Sequence, residues 1–498
     1  MSVAIAVPAA KPKPEIKYRG LLAAFAALIV VCMLPTPEGL PLAGHYMLGL
    51  LLFSVILWTT EAVDYAISAV LIVALMAFLL GMAPDPAKPA QLLGTTAALT
   101  IALGGFANTA LALVAAALFI SAAMTITGLD KRIALVVLSK VGARTNRVVI
   151  GAIVVGLVLS FLVPSTTARV ACLVPIMMGI IAAFGVDKKS RLAGIIMITT
   201  AQSASIWNVG IKTAAAQNMV AVGFIEKTLK ATITWLDWFI AAAPWSALMS
   251  IALYFVMMKM MPPETEEVAG GKEAIAHALH EMGPMSVNEK KLLATMLILL
   301  CFWATEKVLH PFDTSSTTIA AIALMFMPWV GVMDWKQAQG RIPWGTVILF
   351  GVGISLGTAL LQTKAAGWLA SIIVQNLGLT DASAFMILAL LSLFLIVVHL
   401  GFASATALAS AMIPIVIGVL QHVHTPGINI VGMTMILQFV ISFGFILPVN
   451  APQNMVAYGT ETFSVRDFVR TGLVLTVIGY ALVLLFGLTY WPWLGYVS

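Results

Sequence analysis

Apolar residues along this chain gather in long unbroken runs. Runs near 20–36, 44–60, 65–82, 98–127, 193–225, 234–260, 292–309, 316–332, 344–362, 427–458 and 471–490 each approach the length that crosses a ~30 Å hydrocarbon core as a helix. Two further apolar blocks, 148–184 and 383–421, are interrupted by hydroxyl residues, in "FLVPSTTARVACLVPIM" (161–177) and "FASATALASAMIPIV" (402–416). The interruptions share a register: Ser165 precedes Pro175, and Ser404 precedes Pro414, by ten residues. From Val148 to Val163 a helix would cover only ~24 Å at 1.5 Å per residue. Pro164 and its small polar neighbours can then turn the chain. Each block therefore predicts a re-entrant helical hairpin with its tip inside the bilayer, where protein or a water-filled cavity must surround it.

The expected fold is an all-α polytopic membrane protein of about 11 transmembrane helices plus two re-entrant hairpins. Composition agrees, with 61% hydrophobic and 10% charged residues among 498 and a mean hydropathy of +1.03. The net charge of +6 does not indicate nucleic acid, because the basic residues sit in short loops where they set orientation. If each block enters and leaves on one side, Lys131, Arg132, Lys140, Arg144, Arg147, Lys188, Lys189, Arg191, Lys336, Arg341, Arg466 and Arg470 share the side of the N-terminus. That asymmetry predicts a cytoplasmic N-terminus in a cell inner membrane. The first hairpin then opens from the cytoplasmic side and the second from the outer side. A second motif pair, "AQNMVAVG" (216–223) and "PQNMVAYG" (452–459), recurs at an offset of 236, against 239 for the hairpins. Two ordered motif pairs of opposite orientation predict an inverted repeat, a common build of secondary transporters with a midplane site.

Candidate chemistry centres on these motifs. Helices starting near Ala168 and after Thr406 would aim free N–H groups and flanking hydroxyls at the tips, an arrangement suited to a carboxylate. "WNVGIKTAAAQN" (207–218) and "LPVNAPQN" (447–454) read as interrupted helices whose unwound backbone can meet a cation or an anion. Asn218 and Asn454 can in addition cap the helices that follow. Arg169 and Lys212 are the two basic residues within spans, a costly placement that points to a cavity or a partner. Arg169 can grip a carboxylate bidentately, whereas Lys212 is a point charge. His399 fits packing as well as substrate contact, and solvation accounts for Glu61 and Asp64 at a short turn. Cys32, Cys172 and Cys301 lie in apolar segments without metal or disulfide spacing. No phosphate loop or acid–base pair indicates an enzyme.

The paired hydroxyl tips, "PVNAPQNMVAYG", "TEAV" after the second span and "IPWGTVILFGVG" (342–353) together resemble the divalent-anion/sodium symporters, the dicarboxylate and citrate transporter family. The likeness runs from about Leu21 to Tyr490. It implies a homodimer working by an elevator mechanism. It also implies substrate contacts at Ser165, Thr166, Thr167 and Arg169 and at Ser404, Thr406, Ala451 and Pro452. Coupling or charge compensation would fall to Lys212, Asn208, Asn450, Asn218 and Asn454, and sodium, if used, would lie near Ser165, Thr166, Ala214, Ala405 and Asn450. Two departures bear on coupling. The family's tip asparagines are Thr166 and Ala405 here, and Ala405 has no side-chain oxygen. "STTAR" and "HLGFASATA" look like the family's dicarboxylate exchangers.

The expected organisation is a cytoplasmic tail (1–19), scaffold helices (20–147), the first hairpin and transport helices (148–262), and a cytoplasmic connecting loop (263–291). Second-half scaffold helices (292–382) and the second hairpin with its transport helices (383–498) complete it. The expected function is secondary transport of di- or tricarboxylate anions, favoured as exchange, with sodium-coupled symport as the alternative and an anion channel more distant. No cofactor is expected beyond sodium as a coupling ion.

Overall fold

The computed structural model describes residues 17–86, 88–141, 144–183, 185–264 and 271–497. The first sixteen residues of the expected tail and 265–270 of the expected connecting loop lie outside them. Helices dominate. The first half runs α1 (Tyr18–Met33), α2 (Leu42–Thr60), α3 (Tyr65–Gly81), a small exposed hairpin of β1 (Pro84–Asp85) and β2 (Lys88–Leu92), then α4 (Thr95–Leu103), α5 (Thr109–Thr127) and α6 (Leu129–Val141). It continues through α7 (Thr145–Leu162), α8 (Thr166–Ala183), α9 (Arg191–Gly210), α10 (Ala216–Phe224) and α11 (Trp235–Met260). After α12 (Gly271–Glu281) come α13 (Val287–Ala304), α14 (Thr314–Phe326), α15 (Trp335–Gln339), α16 (Trp344–Gln362), α17 (Ala365–Asn376), α18 (Ala384–His399) and α19 (Ala405–His422). α20 (Ile430–Ile441), α21 (Pro452–Tyr458), α22 (Val465–Leu488) and α23 (Tyr490–Trp493) close the chain. Among the described residues, nine helices are long and apolar enough to cross a membrane.

The inverted repeat is explicit in register and packing. α8 and α19 are each 18 residues long and begin and end 239 residues apart, with Pro175 and Pro414 at matching interior positions. The hairpin α7–α8 packs on α9, and α18–α19 packs on α20. Each interrupted helix then crosses to the other half: α10 lies on α19, and α21 on α8. Two side-chain bonds repeat the exchange, Gln453 Nε2 donating to Ser205 Oγ at 3.1 Å and Gln217 Nε2 to Ser442 Oγ at 3.5 Å. Two further helix pairs are reciprocal too, with α3 against α16 and α14 against α5.

Side-chain caps explain many helix starts. Asp64, Asn108, Ser190, Asp313 and Asn429 each accept from a backbone N–H of the first turn, satisfying donors that a helix leaves free. Thr234, Ser286 and Ser464 form reciprocal capping boxes with Asp237, Glu289 and Asp467. The structure departs from the sequence expectation in three places. The run 98–127 is divided at Gly104–Asn108 into α4 and α5 because Gly105 meets the α16 backbone. A Cβ there would stand 2.1 Å from Gly351 O, and Gly105 N donates to Ser355 Oγ at 2.8 Å. The connecting segment is not all loop, since α12 packs on α6 and α8. Its far end is held by Arg132, whose Nε donates to Glu289 Oε1 at 2.5 Å and whose Nη1 donates to Gly283 O at 3.0 Å. Finally, 365–376 forms the helix α17, against α16 and α19.

Candidate functional site

At the first tip the backbone leaves α7 at Leu162, extends through Val163 and re-enters helix at Thr166. Ser165 Oγ accepts from Ala168 N at 3.4 Å, as a helix cap would. Thr166 is buried and its hydroxyl donates to Asn208 Oδ1 at 2.6 Å, whereas Thr167 is exposed. Arg169 is wholly buried. Its Nη1 donates to Val163 O at 2.7 Å and Ala214 O at 3.0 Å, and its Nη2 to Asn208 Oδ1 at 2.6 Å. Weaker contacts reach Thr166 Oγ1 and Ala204 O at 3.4 Å each, and Nε has no partner. No carboxylate of the described residues lies within ion-pair distance of it. The guanidinium thus ties the first tip to α9 and to the short 3₁₀ turn Lys212–Ala214.

The second tip repeats the backbone with different side chains. Ser404 caps α19, its Oγ accepting from Ala407 N at 3.3 Å. Ala405 is half-buried, and Thr406 is buried. Where Arg169 reaches into the first tip, Asn450 reaches into the second. Its Nδ2 donates to His399 O at 2.9 Å and Phe402 O at 3.0 Å, with Leu400 O at 3.4 Å. Its Oδ1 accepts from Leu447 N at 3.1 Å, and this surrounding network fixes the amide's orientation. Phe402 and Asn450 are the repeat mates of Val163 and Ala214. A cluster of carbonyl oxygens therefore lies under each tip, one filled by a guanidinium and the other by a neutral amide.

The interrupted helices are matched down to one side-chain bond. Asn218 Nδ2 donates to Asn208 O at 2.7 Å, and Asn454 Nδ2 donates to Gly444 O at 2.8 Å. Each lies ten residues after its acceptor, and each leaves a buried Oδ1 without a partner. Ala214 and Ala451 are buried, while Pro452 is exposed. Lys212 is buried but turned from the tips, its Nζ donating to Ile233 O at 2.6 Å. The structure thus joins Thr166, Arg169, Asn208 and Ala214 in one network, and Asn450 with the second tip in another, with Lys212 outside both. His399 Nε2 lies 3.4 Å from Asn450 O. Gln217 and Gln453, which knit the halves together, were not singled out from the sequence. Their signal was the Gln shared by both "QNMVA" motifs.

The repeat is symmetric in connectivity but not in packing. In the second half α19 is pressed against α16: a Cβ on Gly353 would stand 2.3 Å from Ser410 Oγ, and one on Gly357 would stand 2.4 Å from Pro414 Cγ. In the first half the mates of Gly357 and Pro414 are Ala122 and Pro175, which both line an open cavity of about 770 Å³. Ser121 and Thr125 of α5, Ala171 and Cys172 of α8, and Asp130, Lys131 and Arg341 share its walls. The cavity lies between α8 and α5 at the end carrying the α5–α6 corner and α12. Its counterpart at the second hairpin is closed.

Comparison with known proteins adds a family. The sequence pattern described as the sodium:sulfate symporter transmembrane region matches residues 15–497. A protein of Cupriavidus necator described as a membrane protein is 59% identical over 98% of this chain and 95% of its own length. The L-tartrate/succinate antiporter of Escherichia coli is 25% identical over 96% of this chain and 99% of its own. The YdaH transporter of Alcanivorax borkumensis resembles the fold, with a TM-score of 0.55 at 15% identity, covering 87% of this chain and 98% of that one.

Proposed function

We propose, because this chain belongs to the sodium:sulfate symporter transmembrane family, that it is a secondary transporter exchanging dicarboxylate-class anions across the inner membrane without sodium. Membership supports a multi-pass anion transporter rather than an enzyme, and the tartrate/succinate antiporter among its relatives supports a dicarboxylate substrate. The observation that carries exchange is the occupancy of both carbonyl clusters. Sodium requires several oxygen ligands. Arg169 Nη1 already fills the cluster of Val163 and Ala214, and Asn450 Nδ2 fills that of His399 and Phe402. Arg169 also places a fixed positive charge under the first tip with no carboxylate to balance it. A carrier with such a charge is costly to move empty, which favours exchange over net flux.

In this reading the anion lies between the tips. Ser165, Thr166 and Thr167 contact it from one side, and Ser404, Thr406, Ala451 and Pro452 from the other, with the N-termini of α8 and α19 aimed at its carboxylates. Asn208 holds Arg169 in place, Asn218 and Asn454 brace the interrupted helices, and Lys212 contributes longer-range positive potential. The hairpins, α9–α11 and α20–α22 move as one body past a dimeric scaffold, and the N-terminus is cytoplasmic. The one-sided cavity supports an end state of that motion. Sodium symport is the second reading. It requires the Asn450 amide to leave its cluster so that sodium can bind near Ser165, Thr166, Ala214, Ala405 and Asn450.

The test is uptake of labelled succinate into proteoliposomes, with and without a sodium gradient, in vesicles empty or preloaded with unlabelled dicarboxylate. Exchange predicts uptake that needs the preload and ignores sodium. Uptake that needs sodium whatever the preload would establish symport, and conductance without counter-flow would establish a channel.

A further inference from the structure

The open cavity runs along one face of α8. Its wall takes Ala168, Ala171, Pro175 and Gly179 from that helix, at the spacing of three or four residues that marks one helix face. Together they span about 16 Å at 1.5 Å per residue. Ala168 follows Thr167, the exposed residue of the first tip, so the cavity begins beside the proposed anion site. Its volume of about 770 Å³ is that of roughly 25 waters at ~30 Å³ each, room for a small hydrated anion. Among the described residues, its charged lining is Asp130, Lys131 and Arg341. Asp130 is buried and its Oδ1 accepts from Lys131 N at 2.8 Å, whereas Lys131 and Arg341 are exposed. Arg341 Nη1 donates to Gln337 O at 2.9 Å, and neither cation forms an ion pair with a described acid. Two cations thus meet the water of the cavity against one acid set in its wall.

We propose that Lys131 and Arg341 form a capture station in this cavity, where a dianionic substrate pauses on its way to or from the first tip. The assignment rests on the transport reading above and adds to it a second anion subsite, on the α8 side alone. Cations lining a cleft with low-dielectric walls focus the field there, which raises the local concentration and on-rate of an anion. Both side chains reach solvent, so the attraction is screened by salt and stays weak enough to let the anion go. Membrane orientation requires only that basic residues lie somewhere in these loops. It does not require two of them to share a wall with Ala168. The station has no copy in the second half. Gly128 and Lys364, which precede α6 and α17 with φ of 74° and 64°, are repeat mates 236 residues apart. Asp130 and Lys131 then correspond to Ala366 and Gly367, which carry no charge.

Lys131→Gln and Arg341→Gln each remove one charge and keep a polar side chain. Exchange of labelled succinate is measured in proteoliposomes of checked orientation, with succinate limiting on each face in turn, so that the initial rate reports capture. At roughly 8 Å a unit charge changes the local concentration of a dianion about threefold in ~20 mM choline chloride, and about 1.3-fold in ~0.5 M. In the double variant capture is therefore expected to fall about tenfold in low salt at the face the cavity opens to, and less than about twofold in high salt. Capture at the other face and the rate at saturating succinate are expected to stay within about twofold. Lys131→Arg with Arg341→Lys is expected to recover most of the loss, and melting without succinate checks that every variant folds. Losses as large at the other face, a loss that salt does not relieve, or no loss at all would overturn the station while leaving transport intact. Wild-type vesicles that exchange no anion would overturn the transport reading, and the station with it.

Discussion

The open cavity beside α8 and the closed contact beside α19 predict a second conformation in which the halves trade roles. In the closed half Ser410 faces Gly353. The matching positions in the first half are Ala171 and Leu118, because α8 and α19 differ by 239 and α5 and α16 by 235. In the present structure Cys172, beside Ala171, lies instead with Thr125 and Asp130. Thr125 is seven positions beyond Leu118, so bringing Ala171 level with Leu118 requires a displacement of roughly 10 Å along the helix axis. Leu118→Cys with Ala171→Cys, in a background lacking Cys32, Cys172 and Cys301, places the test pair. A disulfide needs Cα atoms within about 7 Å, so oxidation is expected to trap only the second conformation. Copper-catalysed cross-linking in proteoliposomes, read as protection from a mass-tagging thiol reagent, should proceed while exchange runs and then slow exchange at least tenfold. Exchange that continues after complete cross-linking would refute the reasoning. So would a pair that never links in a protein that is actively exchanging.

Replacing Asn450 by Asp puts a carboxylate among the His399 and Phe402 carbonyls and removes the donor. The melting temperature of that variant is expected to rise with sodium while the wild type ignores it, and a sodium-blind variant would count against the cluster as a latent cation site. Arg169→Lys offers one ammonium for acceptors on Val163, Ala214 and Asn208. It is expected to lower the melting temperature and slow exchange at least tenfold, since a point charge does not reproduce a guanidinium fork; wild-type behaviour would exclude the clamp. At the connector, burial alone would raise the Glu289 carboxyl, but hydrogen bonds from Arg132 and Ser286 outweigh it and hold the group below the usual range. A depressed carboxyl stabilises above its unfolded value of about 4.5 and loses that contribution as pH falls through its lower folded value. Amide exchange in 282–289, corrected for intrinsic rates, should therefore quicken as pH drops below about 4.5, and Arg132→Gln should abolish that step.

Much of the architecture was legible because its signals are local and duplicated. The hydroxyl interruptions after Val163 and Phe402 marked both hairpin tips, and the common offset of Ser165/Ser404 and Pro175/Pro414 carried through to helices of identical length. The breaks before Asn218 and Asn454 were visible as Gly, Pro and Asn inside apolar runs. Direction was not legible. Arg169 could be placed at membrane depth from its position, but that its guanidinium turns back onto Val163 and Ala214 depends on where a segment 45 residues later passes. The division of 98–127 was hidden for the same reason: Gly105 is required by the α16 backbone, 246 residues away. α12 and α17 escaped because short helices lying against a bundle lack the long apolar run that marks a span.

The crossed packing of α10 on α19 and α21 on α8 has a consequence for biogenesis. The face of α8 that α21 will cover waits for a segment that begins about 270 residues after α8 ends. At synthesis rates of roughly 5–20 residues per second that interval is on the order of 10–60 s. During it the first hairpin lacks its covering helix, and Ser205 of α9 lacks its bond from Gln453. A ribosome stalled between the halves would leave in the membrane a polar tip with no lid, a natural substrate for membrane quality control.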